Sequence, residues 1–171
     1  MTAVGLLAIG VGMAAIAFIL DSEQYLVFAV PLILIGAGDG VALTIASDTV
    51  LAVAPKDRAG AASAVSETGY ELGTALGIAL LGSVLTAVYQ GALKLPGSVP
   101  PEVAAAATES PGEGFEEMKG LAPDVTAALT DAIHVAFTQA LQVTTWVGAA
   151  VLIVGAVVTW RLLPGRREAV N

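Results

Sequence analysis

Four stretches of this chain are apolar for about 20 residues each, the length an α-helix needs to cross roughly 30 Å of hydrocarbon. They run from Ala3 to Leu20, from Tyr25 to Val53 with Pro31 in the opening turns, from Ala59 to Tyr89, and from His134 to Leu163. Inside a bilayer each backbone amide must find its partner within its own segment, which leaves helices as the solution for such spans. The expected fold class is therefore an all-α membrane protein with four transmembrane helices. Only 13% of the residues are charged, against about 25% in a soluble domain. A soluble bundle of the same helices is thereby set aside. The first span lacks a basic leader region and three more spans follow it, so it reads as a helix that stays.

Positive charge sets the orientation. Lys56 and Arg58 lie between spans two and three, and Arg161, Arg166 and Arg167 mark the end of span four. Both places fall on one side of a four-span topology, and that side is expected to be cytoplasmic. Asp21, Glu23 and an acidic loop fall on the other side, with only Lys94 and Lys119. The expected organisation is spans one to three over residues 1–90, an extracytoplasmic loop over 91–133, span four over 134–163 and a cytoplasmic tail over 164–171. Both termini then face the cytoplasm of a multi-pass protein in the cell (plasma) membrane, and the lipid bilayer is the first partner. Tyr25, Tyr89 and Trp160 suit interfacial anchoring, or ordinary packing.

The net charge of −8 is a local property. Seven of the 15 acids lie between Gly91 and Ile133. That loop also holds Pro96, Pro100, Pro101, Pro111 and Pro123. Two short helices are expected in and after it. One covers Glu102–Thr108; the other covers Asp124–Ala140 behind Pro123, with Val125, Leu129, Ile133 and Ala136 along one stripe. No basic patch of the kind nucleic acid requires is present. There is no cysteine, and the single histidine, His134, builds no zinc site alone, so no metal site and no cofactor are expected. No nucleophile–base constellation is visible, so the chain does not read as an enzyme.

Carboxylates inside a bilayer cost about 2.5–3.5 kcal/mol each on insertion scales, so their positions carry information. The third span holds two, in Glu67-Thr68-Gly69-Tyr70-Glu71-Leu72-Gly73. Glu67 and Glu71 are four residues apart and share a helical face, with Tyr70 beside them. Gly69, Gly73 and Gly77 form a second row on another face, suited to close backbone contact with a neighbouring helix. Two readings fit the acids. In one they bind a proton or a cationic substrate, with Tyr70 offering a cation–π surface. Carboxylates held out of water and beside each other titrate as a unit, and an arriving cation displaces the proton. In the other, each acid pairs with a Lys or Arg on another helix and only fixes packing. No Lys or Arg lies in the membrane interior of this chain, Arg161 standing at the end of span four, so that partner would be external. The second span holds Gly36-Ala37-Gly38-Asp39-Gly40. Asp39 reads either as a cavity-lining acid or as a polar link in a locally unwound helix. Asp48 is expected to pair with Arg58 or to fix packing at the turn.

From Gly36 to Val84 these features follow one another in a set order. Gly36-x-Gly38-x-Gly40 precedes Ser47-Asp48, then Ala54-Pro55-x-x-Arg58-Ala59-Gly60 and Ala62-Ser63-Ala64-Val65. Tyr70-Glu71-Leu72-Gly73 follows, then Ala75-Leu76-Gly77-Ile78-Ala79 and Gly82-Ser83-Val84. This run resembles the major facilitator superfamily in its fourteen-span drug:proton antiporter branch, closest to quaternary-ammonium and multidrug exporters whose penultimate span also carries acids. Ala136-Phe137-x-x-Ala140-Leu141-Gln142 resembles the run into that family's final span. The resemblance covers the last four of fourteen spans and implies a partial major facilitator bundle. It also implies that Glu67 and Glu71 line a central cavity and couple cation export to proton entry. The partners it implies are protons, lipophilic cations and the missing N-terminal transporter helices. The expected function is thus that of a C-terminal fragment of a proton-coupled multidrug efflux transporter. The alternatives are a self-sufficient four-helix dimeric exporter and a non-transporting truncated membrane protein.

Overall fold

The computed structural model describes residues 1–20, 22 and 24–162. Asp21, Glu23, Leu163, Arg166, Arg167 and the 164–171 tail lie outside them. Among the described residues there is no strand. Six α-helices follow in order: α1 (Thr2–Ile19), α2 (Ala29–Val53), α3 (Ala59–Ala92), α4 (Pro101–Glu109), α5 (Pro111–Glu117) and α6 (Pro123–Leu162). Short 3-10 turns at Tyr25–Phe28 and Lys56–Arg58 introduce α2 and α3. Four segments, α1, Tyr25–Val53, α3 and α6, are long and apolar enough to cross a membrane. The chain is an all-α membrane protein, as its hydropathy predicts. It divides into two compact units, residues 1–78 with 145 onward, and residues 79–144.

In the first unit, α1 and α2 meet through glycine. A Cβ on Gly5 would stand 2.7 Å from the Gly38 carbonyl oxygen, and a Cβ on Gly38 would stand 2.7 Å from that of Gly5. Farther along, a Cβ on Gly12 would meet Ile35 Cγ1 at 2.6 Å and the Pro31 oxygen at 3.0 Å. Rising numbers on α1 thus meet falling numbers on α2, which makes the pair antiparallel. Lipid is as apolar as Leu, so helices in it associate through close packing and not through hydrophobic exclusion. The opposite side of α1 receives α6. A Cβ on Gly10 would touch Ile153 Cγ1 at 3.0 Å. Phe18 meets Trp146 edge to face, with ring centroids 4.8 Å apart. Pro55 ends α2 by forcing Ala54 into an extended conformation (φ −77°, ψ 138°).

The second unit has a core of its own. Tyr89 from the end of α3, Val103 and Ala107 of α4, Met118, and Leu129, Ile133, Ala136 and Ala140 of α6 are buried together. Proline opens α4, α5 and α6, where a missing N–H costs nothing. Ser110 accepts a hydrogen bond from the Glu113 amide at 3.2 Å and so caps α5. The Tyr89 hydroxyl donates to the Ala107 carbonyl at 2.6 Å, and Gln90 Nε2 donates to the Thr108 carbonyl at 3.3 Å. Together they tie α4 to α3. Tyr89→Phe leaves the buried carbonyl without its donor, so we expect a loss of about 1–3 kcal/mol. Hydrogen–deuterium exchange should then rise across residues 101–109 and remain unchanged in α1.

Two expectations change here. The helix proposed for Asp124–Ala140 and the fourth span proposed from His134 are one unbroken helix, α6. No Pro or Gly occurs between Pro123 and Gly148, so nothing stops the helix where its polarity changes. At about 1.5 Å per residue, α6 is some 60 Å long and α3 some 51 Å, both well beyond the hydrocarbon thickness. The second change concerns Gly36–Gly40. α2 runs through these residues without a break, so Asp39 sits on a regular helix and not in an unwound one.

Candidate functional site

α3 carries the site. Its first 20 residues contain no proline and are rich in Ala, and the helix is regular throughout. Glu67 and Glu71 are both exposed, and Tyr70 between them is 52% exposed. With about 3.6 residues per turn, Ser63, Glu67, Tyr70, Glu71 and Thr74 fall within roughly 100° of one another around the helix. Val65, Leu72 and Leu76 occupy the opposite side. Of the four span segments α3 is the least covered, with 6% of its most apolar window buried against 17% or more for the others.

The structure places Asp39 on α2, exposed. Counted from the connecting turn, Asp39 stands about 21 Å along α2 and Glu71 about 18 Å along α3. Among the described residues the single ion pair is Lys119 with Glu116, on the surface of the second unit. Glu67, Glu71 and Asp39 therefore have no cationic partner among the described residues. Asp48 and Arg58 also make no ion pair among the described residues, so of the two readings of Asp48 the pairing is not seen. Among the described residues no three His, Asp or Glu side chains gather as a metal-ligand set.

The glycines divide by role. Gly38 touches α1, whereas a Cβ on Gly36 or Gly40 would meet nothing within 4 Å. Gly69, Gly73 and Gly77, read as a packing row, likewise have nothing within 4 Å. No described segment of this chain lies directly against them.

Hydroxyl groups distinguish the faces of α3 further. Thr68, about 60° around the helix from both Val65 and Glu71, donates back to the Ala64 carbonyl at 2.8 Å, which takes up its proton. Ser63 and Thr74, on the carboxylate side, are exposed and make no hydrogen bond. Sequence reasoning passed over both residues, although the same helical arithmetic that joined the glutamates reaches them.

Comparison with known proteins gives this surface a context. The chain is 32% identical over 154 residues to the multidrug efflux pump LfrA of Mycolicibacterium smegmatis, an alignment covering 90% of this chain and 31% of that protein. The chain is similar in sequence to drug-efflux transporters. A second match, 32% identical over 127 residues, is to the methyl viologen resistance protein SmvA of Salmonella typhimurium, in two strains; it covers 74% of this chain and 26% of that protein. The chain thus spans a third or less of the length of these relatives. No family model matches the chain, and no solved structure matches it.

Proposed function

We propose that this chain is the C-terminal part of a proton-coupled multidrug efflux transporter of the major facilitator type, exporting lipophilic cations across the cell membrane. One observation carries the reading: Glu67 and Glu71 are exposed side by side on the least covered span, in a chain whose described residues offer them no cation. Similarity to a multidrug efflux pump and to a methyl viologen resistance protein supports it. Methyl viologen is an organic dication, and a pair of carboxylates is the complementary receptor for such a charge.

In this reading Glu67 and Glu71 hold a proton that an entering cation displaces, Tyr70 meets the cation with its ring face, and Asp39 adds negative charge. Helices from the rest of the transporter cover the glutamate face and close the cavity. The Arg-marked ends lie in the cytoplasm, and the α4–α5 segment lies outside. The test is proton release. Adding ethidium to the full-length product of the gene encoding this chain, in lightly buffered detergent solution, should release protons in proportion to cation bound. Binding without release would end the antiport reading.

A further inference from the structure

We propose that Ser63 and Thr74 are the proton-relay residues at the two ends of the carboxylate pair, carrying protons to and from Glu67 and Glu71. The inference rests on the reading of the glutamates as exchanging protons, and adds the route by which those protons arrive.

A hydroxyl facing lipid has one partner within reach, the carbonyl four residues back on its own helix. Three threonines of α2 and α3 take it. Thr44 donates to Gly40, Thr49 to Ile45 and Thr68 to Ala64, at 2.7, 2.7 and 2.8 Å. Ser63 and Thr74 do not, although both lie within the same kind of regular helix. Ser66 is also unbonded, but it is half-buried on the glycine side, and the unbonded, half-buried Ser47 and Thr159 lie on α2 and α6, away from the carboxylate ladder of α3. The two free hydroxyls on the carboxylate side are thus the ones available to water or to a neighbouring acid.

Their spacing makes a continuous ladder. Ser63 and Glu67 are four residues apart, as are Glu67 and Glu71, and Thr74 lies three beyond Glu71. Side chains three or four apart on a helix stand about 5–6 Å from each other at Cβ, a gap that one water bridges. From Ser63 to Thr74 the ladder covers about 17 Å, more than half of the hydrocarbon thickness. In each transfer the hydroxyl passes its own proton to a carboxylate oxygen and takes one from the adjoining water, which is reprotonated in turn by the next water towards bulk, so that the net step moves one proton from bulk to the carboxylate. One O–H bond breaks as another forms, and the side chain ends unchanged. A hydroxyl both donates and accepts, and valine does neither.

The test uses the full-length gene product in proteoliposomes, with dye export and proton flux measured together. Thr74→Val keeps the shape of the side chain and removes the relay. It should slow export about fivefold to tenfold at unchanged dye affinity and enlarge the H2O/D2O rate ratio. Thr74→Ser should restore both, Ser63→Ala should repeat the slowing, and Thr68→Val should match the wild type. Wild-type rates and isotope ratio in Thr74→Val and Ser63→Ala, beside an inactive Glu71→Gln, would overturn the relay and leave the glutamate reading standing. Slowing that Thr74→Ser fails to rescue would also overturn it, as a packing effect. An active Glu71→Gln would remove both readings at once.

Discussion

Replacing Glu71 by glutamine in the full-length gene product is expected to abolish export of cationic dyes. Glutamine keeps the size of the side chain and its capacity for hydrogen bonds, but can neither lose a proton nor carry charge. If the exported cation and the proton compete for this carboxylate, the variant loses both coupling and attraction, and the rate should fall by roughly two orders of magnitude. Glu67→Gln, one turn away, should weaken export by a smaller factor, because Glu71 remains to exchange its proton. The measurement is ethidium efflux from energised cells, with the amount of protein in the membrane checked by immunoblot. Efflux at the wild-type rate in Glu71→Gln would show that the acid only fixes packing, as the second reading of these residues holds.

The second large effect is expected at Gly38. Any Cβ there would stand 2.7 Å from a backbone oxygen of α1 and 2.9 Å from Ile9 Cγ1. A backbone carbonyl cannot rotate aside as a flexible side chain can, so the two helices must move apart. Gly38→Val should cost at least the roughly 1–3 kcal/mol typical of overpacking, and the separation weakens van der Waals attraction along the whole crossing. The expected result is a severalfold fall in folded, detergent-extractable protein, measured by fluorescence-detected size exclusion. Gly36→Val and Gly40→Val serve as internal controls. A Cβ at either position meets nothing within 4 Å, so as far as this chain's own packing goes both should fold normally. Equal loss in all three variants would mean that helix flexibility, and not the close approach to Gly5, is the reason for glycine at position 38.

The four spans were legible because hydropathy reports directly on burial in lipid, and a run of 20 apolar residues has few other uses. Boundaries were legible only where a residue enforces them. Pro55 ends α2 through its own backbone, and α2 stops there. At His134 the composition changes from polar to apolar, but helical hydrogen bonds do not depend on polarity, so α6 continues through it. α5 was missed for the converse reason. Gly112 and Gly114 argue against a helix, yet Gly114 is needed because a Cβ there would stand 2.9 Å from Ala107 of α4, and Ser110 with Pro111 supplies the start. Within Gly36–Gly40 the sequence shows three equivalent glycines, and only the packing of α1 singles out Gly38. On α3, spacing by four was enough to place Glu67 and Glu71 together. The same spacing suggested a partner for Gly69, Gly73 and Gly77, and that partner is not among the described residues of this chain. Ser63 and Thr74 went unnoticed because a hydroxyl in a membrane helix is ordinary until its hydrogen bonds are known.

The core around Tyr89, Leu129 and Ile133 is drawn from one uninterrupted length of polypeptide, residues 79–144. Pairings between neighbours in sequence form quickly, since little chain entropy is lost in closing them. This segment can therefore take its shape from its own residues alone. A loop that folds on itself in this way clasps the end of α3 to the start of α6, whatever the other helices do.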